Sequence, residues 1–263
     1  MQLRDRSTRF SFARRLVALA LLVVPTGLAG AGAVAAADFF DTAVVDNSAD
    51  VGYAASLAFD STGKPHIAYY DQTNGDLKYA SWNGATWIIE TADGLAGLNV
   101  GTHASLALDG SDRPHISYYD QTNADLKYCR KNAGVWTAET VDSAIPPRGW
   151  FTSIALDGAG NPRISYQDQT SGDLKYAAKN GGIWTRESVD VAGNVGWYTA
   201  LALDASGNPR ISYFDFTNQD LKFAARNGAT WSIETVDAAN CKGSYTSLAL
   251  KGGNPVIAYF DCT

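Results

Sequence analysis

Four short polar turns carry side chains able to grip a hydroxyl-rich ligand. They are Asp71-Gln72-Thr73-Asn74, Asp120-Gln121-Thr122-Asn123, Asp168-Gln169-Thr170-Ser171 and Asp215-Phe216-Thr217-Asn218. A second series follows a recurring glycine: Gly52-Tyr53, Gly101-Thr102, Gly149-Trp150, Gly196-Trp197 and Gly243-Ser244. A sugar presents an apolar C–H face and a rim of hydroxyls, which suits an aromatic platform beside paired amides and carboxylates. The candidate ligand-binding set is therefore Tyr53, Trp150 and Trp197, with Asp71, Asp120, Asp168 and Asp215 and the amides of Gln72, Gln121 and Gln169. The same aspartates have a conformational use, since an Asp carboxylate accepts bonds from amides two residues on and fixes a turn. Trp150 and Trp197 share a position with Tyr53, Thr102 and Ser244, and a position used only for packing should vary less.

Other chemistry has less support. No Gly-x-Ser-x-Gly elbow, His-Glu-x-x-His pair or phosphate loop occurs, so no catalytic residue is assigned. No Cys/His cluster has zinc-ligand spacing, and the Asp71–Asp76 turn lacks the spaced carboxylates of a calcium loop. No metal or cofactor is expected. Carboxylates are plentiful enough for an acid pair that cleaves glycosides, but none of the recurring aspartates differs from its copies. His66, His115, Arg163 and Arg210 share one position, where a hydrogen bond between repeats is expected. Lys78, Lys127, Lys175 and Lys222 recur beside aromatic residues and suit cation–π contact.

The elements that must position these side chains are strands. Ile67–Tyr79, Ile116–Tyr128, Ile164–Tyr176 and Ile211–Phe223 are copies of one alternating, aromatic and β-branched hairpin, and Ile257-Ala-Tyr-Phe-Asp-Cys-Thr263 begins a fifth. A full unit reads as four short strands joined by tight turns, as in 55–60, 65–71, 76–83 and 86–93. Asp60, Asp109, Asp157 and Asp204 mark a period of 49, 48 and 47 residues. Four-stranded units of this length are the mark of a β-propeller blade. The fold class is all-β, with four complete blades (about 55–93, 105–142, 153–190 and 200–237). A composite fifth is expected from 38–46 with 247–263, because Phe40–Asp46 aligns with the fourth strand Trp231–Asp237. That blade would lack a third strand. Either the N-terminal strand shifts inward, or the chain is a shortened version of something longer. Trp87, Trp136, Trp184 and Trp231 should pack between blades.

Residues 1–37 hold five Arg, an apolar run Leu16–Val24 and a small-residue tract ending Ala35-Ala36-Ala37, the pattern of a cleaved secretory signal. The mature chain is then expected outside the cytoplasm, with no membrane span. It holds 16 Lys and Arg against 26 Asp and Glu, a net of −10 that repels nucleic acid. Export permits a disulfide. Cys241 and Cys262 both fall on the ligand face of the last blade and are the candidate pair. Cys129 replaces Ala80 and Ala177 and should be buried and free.

Ile116-Ser-Tyr-Tyr-Asp-Gln-Thr-Asn-Ala-Asp-Leu-Lys-Tyr-Cys-Arg-Lys-Asn-Ala-Gly-Val-Trp136 resembles the blade of the fucose-specific lectins, and the repeat length and five-blade count also resemble the tachylectin type. The resemblance covers residues 38–263 and implies a propeller that binds glycans without catalysis. The fucose lectins use an Arg in the second strand and a Glu in the third. Here those places hold Ile67 or Ile116 and Tyr79 or Tyr128. The leading expectation is a secreted carbohydrate-binding module with repeated sites that take cell-surface glycans and gain strength by avidity. The alternatives are a sialidase-like hydrolase or lyase, and a cell-surface scaffold for protein interaction.

Overall fold

A computed structural model describes residues 41–143, 148–238 and 241–262, together with the backbone of 19–21. The chain divides into two units, Met1–Asn47 and Ser48–Thr263. In the first, β1 (Leu19–Leu21) pairs antiparallel with β2 (Asp41–Ala43). The second unit contains β3 (Val51–Phe59), β4 (Pro65–Asp71), β5 (Asp76–Trp82) and β6 (Trp87–Asp93) as blade 1. Blade 2 is β7 (Val100–Leu108), β8 (Pro114–Asp120), β9 (Asp125–Asn132) and β10 (Val135–Asp142). Blade 3 is β11 (Arg148–Leu156), β12 (Pro162–Asp168), β13 (Asp173–Asn180) and β14 (Ile183–Asp190). Blade 4 is β15 (Trp197–Leu203), β16 (Pro209–Asp215), β17 (Asp220–Asn227) and β18 (Thr230–Asp237). A fifth, two-stranded sheet joins β19 (Lys242–Lys251) to β20 (Asn254–Asp261). The described residues contain no helix, and the molecule is an all-β propeller.

Each blade is a meander in which consecutive strands pair antiparallel. First strands touch in succession, β3 to β7 to β11 to β15 to β19, which makes them the innermost. Second strands are buried almost throughout in blades 1 to 4, because both faces of a mid-sheet strand meet neighbouring layers. Hence their near-continuous Ile-Ser-Tyr-aromatic composition.

The composite blade differs from the expectation. Asp41–Ala43 pairs with Leu19–Leu21, and the β19–β20 sheet has two strands among the described residues. Leu19–Leu21 is the nearer partner in sequence, and a shorter loop costs less entropy to close. The expected strand's first residues, 38–40, lie outside the described residues. So does the expected signal, apart from Leu19–Leu21. No helix among the described residues is long and apolar enough to cross a membrane.

Contacts between blades repeat. Tyr118, Tyr166, Tyr213 and Tyr259 each donate a phenolic hydrogen bond to the Asp ending the previous blade's fourth strand: Asp93, Asp142, Asp190 and Asp237. Lys127 and Lys222 join two of these nodes at 2.6 and 2.7 Å. Trp136, Trp184 and Trp231 meet Tyr79, Tyr128 and Tyr176 of the preceding blade edge-on, at 5.1, 5.5 and 5.4 Å. Trp87 instead lies 5.5 Å from Trp82 of its own blade. The expected bond between repeats at the His/Arg position is internal to each blade. Arg163 and Arg210 donate to Asp157 and Asp204 at 2.8 Å, and His115 meets Tyr128 Oη at 2.6 Å.

The recurring glycine has a steric reason. Gly101, Gly149, Gly196 and Gly243 have φ between +83° and +108°. A Cβ on each would stand 2.7–2.9 Å from the Cα of Leu77, Leu126, Leu174 or Leu221 in the preceding blade. Only hydrogen fits there.

Candidate functional site

The polar turns and the links between blades share one face. Val100, Val195 and Lys242 donate backbone bonds to Gly75, Gly172 and Gln219 in the turns of the preceding blade. Gln72, Gln121 and Phe216 donate backbone bonds to Asp50, Asn99 and Asn194 of their own blades' entry links.

Within the turns the aspartates are enclosed. Asp71 is fully buried, and its carboxylate accepts from the amides of Thr73 and Asn74 at 3.0 and 3.1 Å and from Asn74 Nδ2 at 2.7 Å. Asp120 repeats the pattern. Asp215 accepts from Asn218 N and Nδ2, and Asp168 accepts from Thr170 N and is ion-paired with Arg148. All four are at most 2% exposed. Their carboxylates accept from the amides of their own turns, the Asx-turn geometry that shapes the face. Gln72 and Gln121 are exposed beside them, and Gln169 is half-buried.

The first strands β3, β7, β11 and β19 break their register twice at the face, and β15 breaks it once. The glycine is followed by one residue, then by another in the left-handed region: Ala54, His103, Phe151, Tyr198 and Tyr245, with φ from 49° to 55°. Such values are uncommon for non-glycine residues and strained for bulky ones. These residues form an axial row. The rings of His103 and Phe151 are 4.8 Å apart, Phe151 and Tyr198 4.5 Å, Tyr198 and Tyr245 4.2 Å. The sequence marks them only by a constant offset of two from the glycine.

Trp150 and Trp197 stand one residue before Phe151 and Tyr198; Trp150 lies over blade 2, and Trp197 meets rings of both blade 3 and its own blade. Trp150 stacks on His103 at 5.5 Å and meets Tyr119 edge-on at 6.1 Å. Trp197 lies 5.2 Å from Phe151 and stacks on Phe216 at 4.8 Å. Its indole Nε1 donates to Asn194 Oδ1, which also accepts from Gln167 Nε2. Both indoles occupy the grooves between their blades. Between blades 1 and 2 the same position holds Thr102, and a groove of about 590 Å³ remains, lined by Tyr53, Ala54, Tyr70, Gln72, Asn99, Thr102, His103 and Gln121. The structure thus gathers Tyr53, Gln72 and Gln121 from the sequence candidates. It adds Tyr70, Asn99 and His103, and Trp150 and Trp197 do not line this groove.

The groove is uncharged. Tyr70 donates to Asn99 Oδ1 at 2.7 Å, and burial pushes its hydroxyl up. Burial pushes His103 down to about 4, so its ring is neutral at pH 7. The unfolded chain titrates this group near 6.5. Protons therefore bind the unfolded state better, and stability falls as pH drops from about 6.5 toward 4. The loss from this group approaches roughly 3 kcal/mol, at about 1.4 kcal/mol per pH unit. His115 is lowered by the same cause and adds in the same direction. Urea unfolding at pH 7 and 4.5 should show a smaller difference for His103→Gln than for wild type. An unchanged difference would refute the assignment.

Cys241 and Cys262 form a disulfide with Cα atoms 5.6 Å apart, tying the ends of the β19–β20 hairpin. Cys129 is free and fully buried, and burial pushes its thiol up. No group of His, Cys, Asp and Glu among the described residues could hold a metal ion.

No protein-family model matches the chain, and no curated protein matches it. Solved structures do. A protein of unknown function from Dyadobacter fermentans superposes with a TM-score of 0.58 at 12% identity, over 80% of this chain and 74% of that one. The fucose-specific lectin from Aleuria aurantia gives 0.55 at 18% identity, over 78% and 69%. AofleA from Arthrobotrys oligospora gives 0.54 at 18%, over 78% of this chain and 63% of its own, so the match spans less than two thirds of that protein. The fold is a β-propeller, shared with these proteins.

Proposed function

We propose that this protein is an exported, non-enzymatic module that binds neutral carbohydrate in the groove between blades 1 and 2. The observation that carries the reading is the groove itself. It stays open because Thr102 stands where Trp150 and Trp197 fill the equivalent spaces. Its walls offer two tyrosine rings, two glutamines, an asparagine and a neutral imidazole, an inventory of donors and acceptors for hydroxyls beside aromatic surface. No carboxylate lines it, which favours binding over acid–base cleavage of a glycoside. No cation lines it either, which favours neutral sugars over uronic or sialic acids. The likeness to a fucose-specific lectin supports a glycan ligand, such as the glycoconjugates of a cell surface. The arginine-rich, apolar N-terminal segment supports export. The inter-blade position differs from blade to blade, Thr102 against Trp150 and Trp197, so the repeated sites expected from the repeats need not be equal.

The mature chain applied to a glycan array should retain neutral glycans and pass over acidic ones. Thr102→Trp should abolish retention while leaving the melting temperature close to wild type, since two other blades carry Trp at that position. Retention of acidic glycans, or undiminished binding by T102W, would place the site elsewhere.

A further inference from the structure

We propose that the groove continues onto the axial aromatic row, so that the ligand is a linear oligosaccharide of neutral sugars rather than a single terminal sugar. This rests on the carbohydrate reading above. His103 belongs to both features: it lines the groove, and it begins the run His103, Phe151, Tyr198, Tyr245. Four rings are held in left-handed backbone, a conformation that bulky residues resist. Ala54 adopts the same conformation at the same place in blade 1, so the double register break does not itself call for an aromatic residue. Strain that backbone geometry does not need points to use.

Tyr245, at the end of the row, is 68% exposed, with one side against Tyr198 and the other open to solvent. The row is also stiff. Trp150 backs His103 at 5.5 Å and Trp197 backs Phe151 at 5.2 Å, so little side-chain freedom remains to be lost on binding. The hydroxyls of Tyr198 and Tyr245 interact and lie at its far end, where polar groups could meet those of a sugar. The groove would hold one sugar unit, and the following units would pass along the row with their C–H faces against the rings.

The test uses titration calorimetry on the mature chain with methyl glycosides of glucose, mannose, galactose, fucose and N-acetylglucosamine, and with linear tetrasaccharides of the same sugars. Whichever sugar binds should do so at least tenfold more tightly as the tetrasaccharide. Tyr245→Ala, at an exposed site, should remove most of that gain while leaving the methyl glycoside's affinity unchanged. Tryptophan emission gives a second readout: the tetrasaccharide should perturb Trp150 and Trp197, and the methyl glycoside should do so less. Equal affinity for both forms, or a gain that survives Y245A, would overturn the inference and leave the groove reading intact. Binding by none of the ten probes would overturn both.

Discussion

Gly149→Ala should lower stability by roughly 2–5 kcal/mol, the sum of about 1–3 for overpacking and about 1–2 for left-handed strain. The new methyl would lie 2.8 Å from the Cα of Leu126, and a neighbour's backbone cannot rotate away as a flexible side chain can. Its φ of +100° adds strain that no shift of Leu126 relieves. The change strikes the seam between blades 2 and 3, where Leu126 is fully buried. Gly158→Ala is the control. That glycine has no atom within 4 Å of the added methyl, so its effect should stay within about 0.5 kcal/mol. Urea midpoints decide the matter. A loss below 1 kcal/mol for G149A would mean that the blades separate more easily than their contact implies.

Asp190→Ala should cost about 3–5 kcal/mol, the range for removing one partner of a buried ion pair. Asp190 ends blade 3 and is 4% exposed. It accepts from Tyr213 Oη and Lys222 Nζ of blade 4, both at 2.7 Å, and from the amide of Ala192 at 3.0 Å. Burial alone would raise its carboxyl, but the bonds from Lys222 and Tyr213 hold it below the ordinary value. Its contribution is therefore complete above the unfolded carboxylate's pKa and is lost as pH falls below it. Alanine would leave a phenol enclosed without its acceptor and an ammonium with only the more distant Asp215, at 3.6 Å. Lys222→Met added to D190A should recover part of the loss, because the stranded charge is then gone. Simple additivity of the two changes would show that the pair does not act as a unit.

The blades were legible in the sequence because two signals coincide in every repeat. Ile116-Ser-Tyr-Tyr and Asp125-Leu-Lys-Tyr alternate as strands, and Asp120 to Asn123 carry their own turn chemistry. The candidate site was legible in part. Tyr53, Gln72 and Gln121 stand in the groove. The turn aspartates were ambiguous in sequence, since turn former and sugar ligand use the same carboxylate. The surroundings of Trp150 and Trp197 could not be read from the sequence, because they depend on ring contacts made across the fold: His103 and Tyr119 of blade 2 for Trp150, Phe151 of blade 3 and Phe216 of blade 4 for Trp197. The axial row was hidden for a different reason. Left-handed backbone at His103, Phe151, Tyr198 and Tyr245 violates the residue preferences on which sequence reading relies. Only their shared distance from a glycine betrays them.

The bonds between blades run from each blade to the next: Asp93 to Tyr118, Asp142 to Tyr166, Asp190 to Tyr213 and Asp237 to Tyr259. Such an array behaves as a zipper with nearest-neighbour coupling, and its cooperativity is graded along the chain rather than uniform. Opening is least costly at the β19–β20 hairpin, where only one neighbour must be released and the strand outside is largely exposed. Amide hydrogens should exchange quickly there and slowest in blade 3, the middle of the array, with two blades on either side. Fraying of that last hairpin would carry Tyr245 away from Tyr198. The covalent link between Cys241 and Cys262 clamps the hairpin's two ends, so a reducing solution should loosen this end of the molecule first and leave the groove between blades 1 and 2 in place.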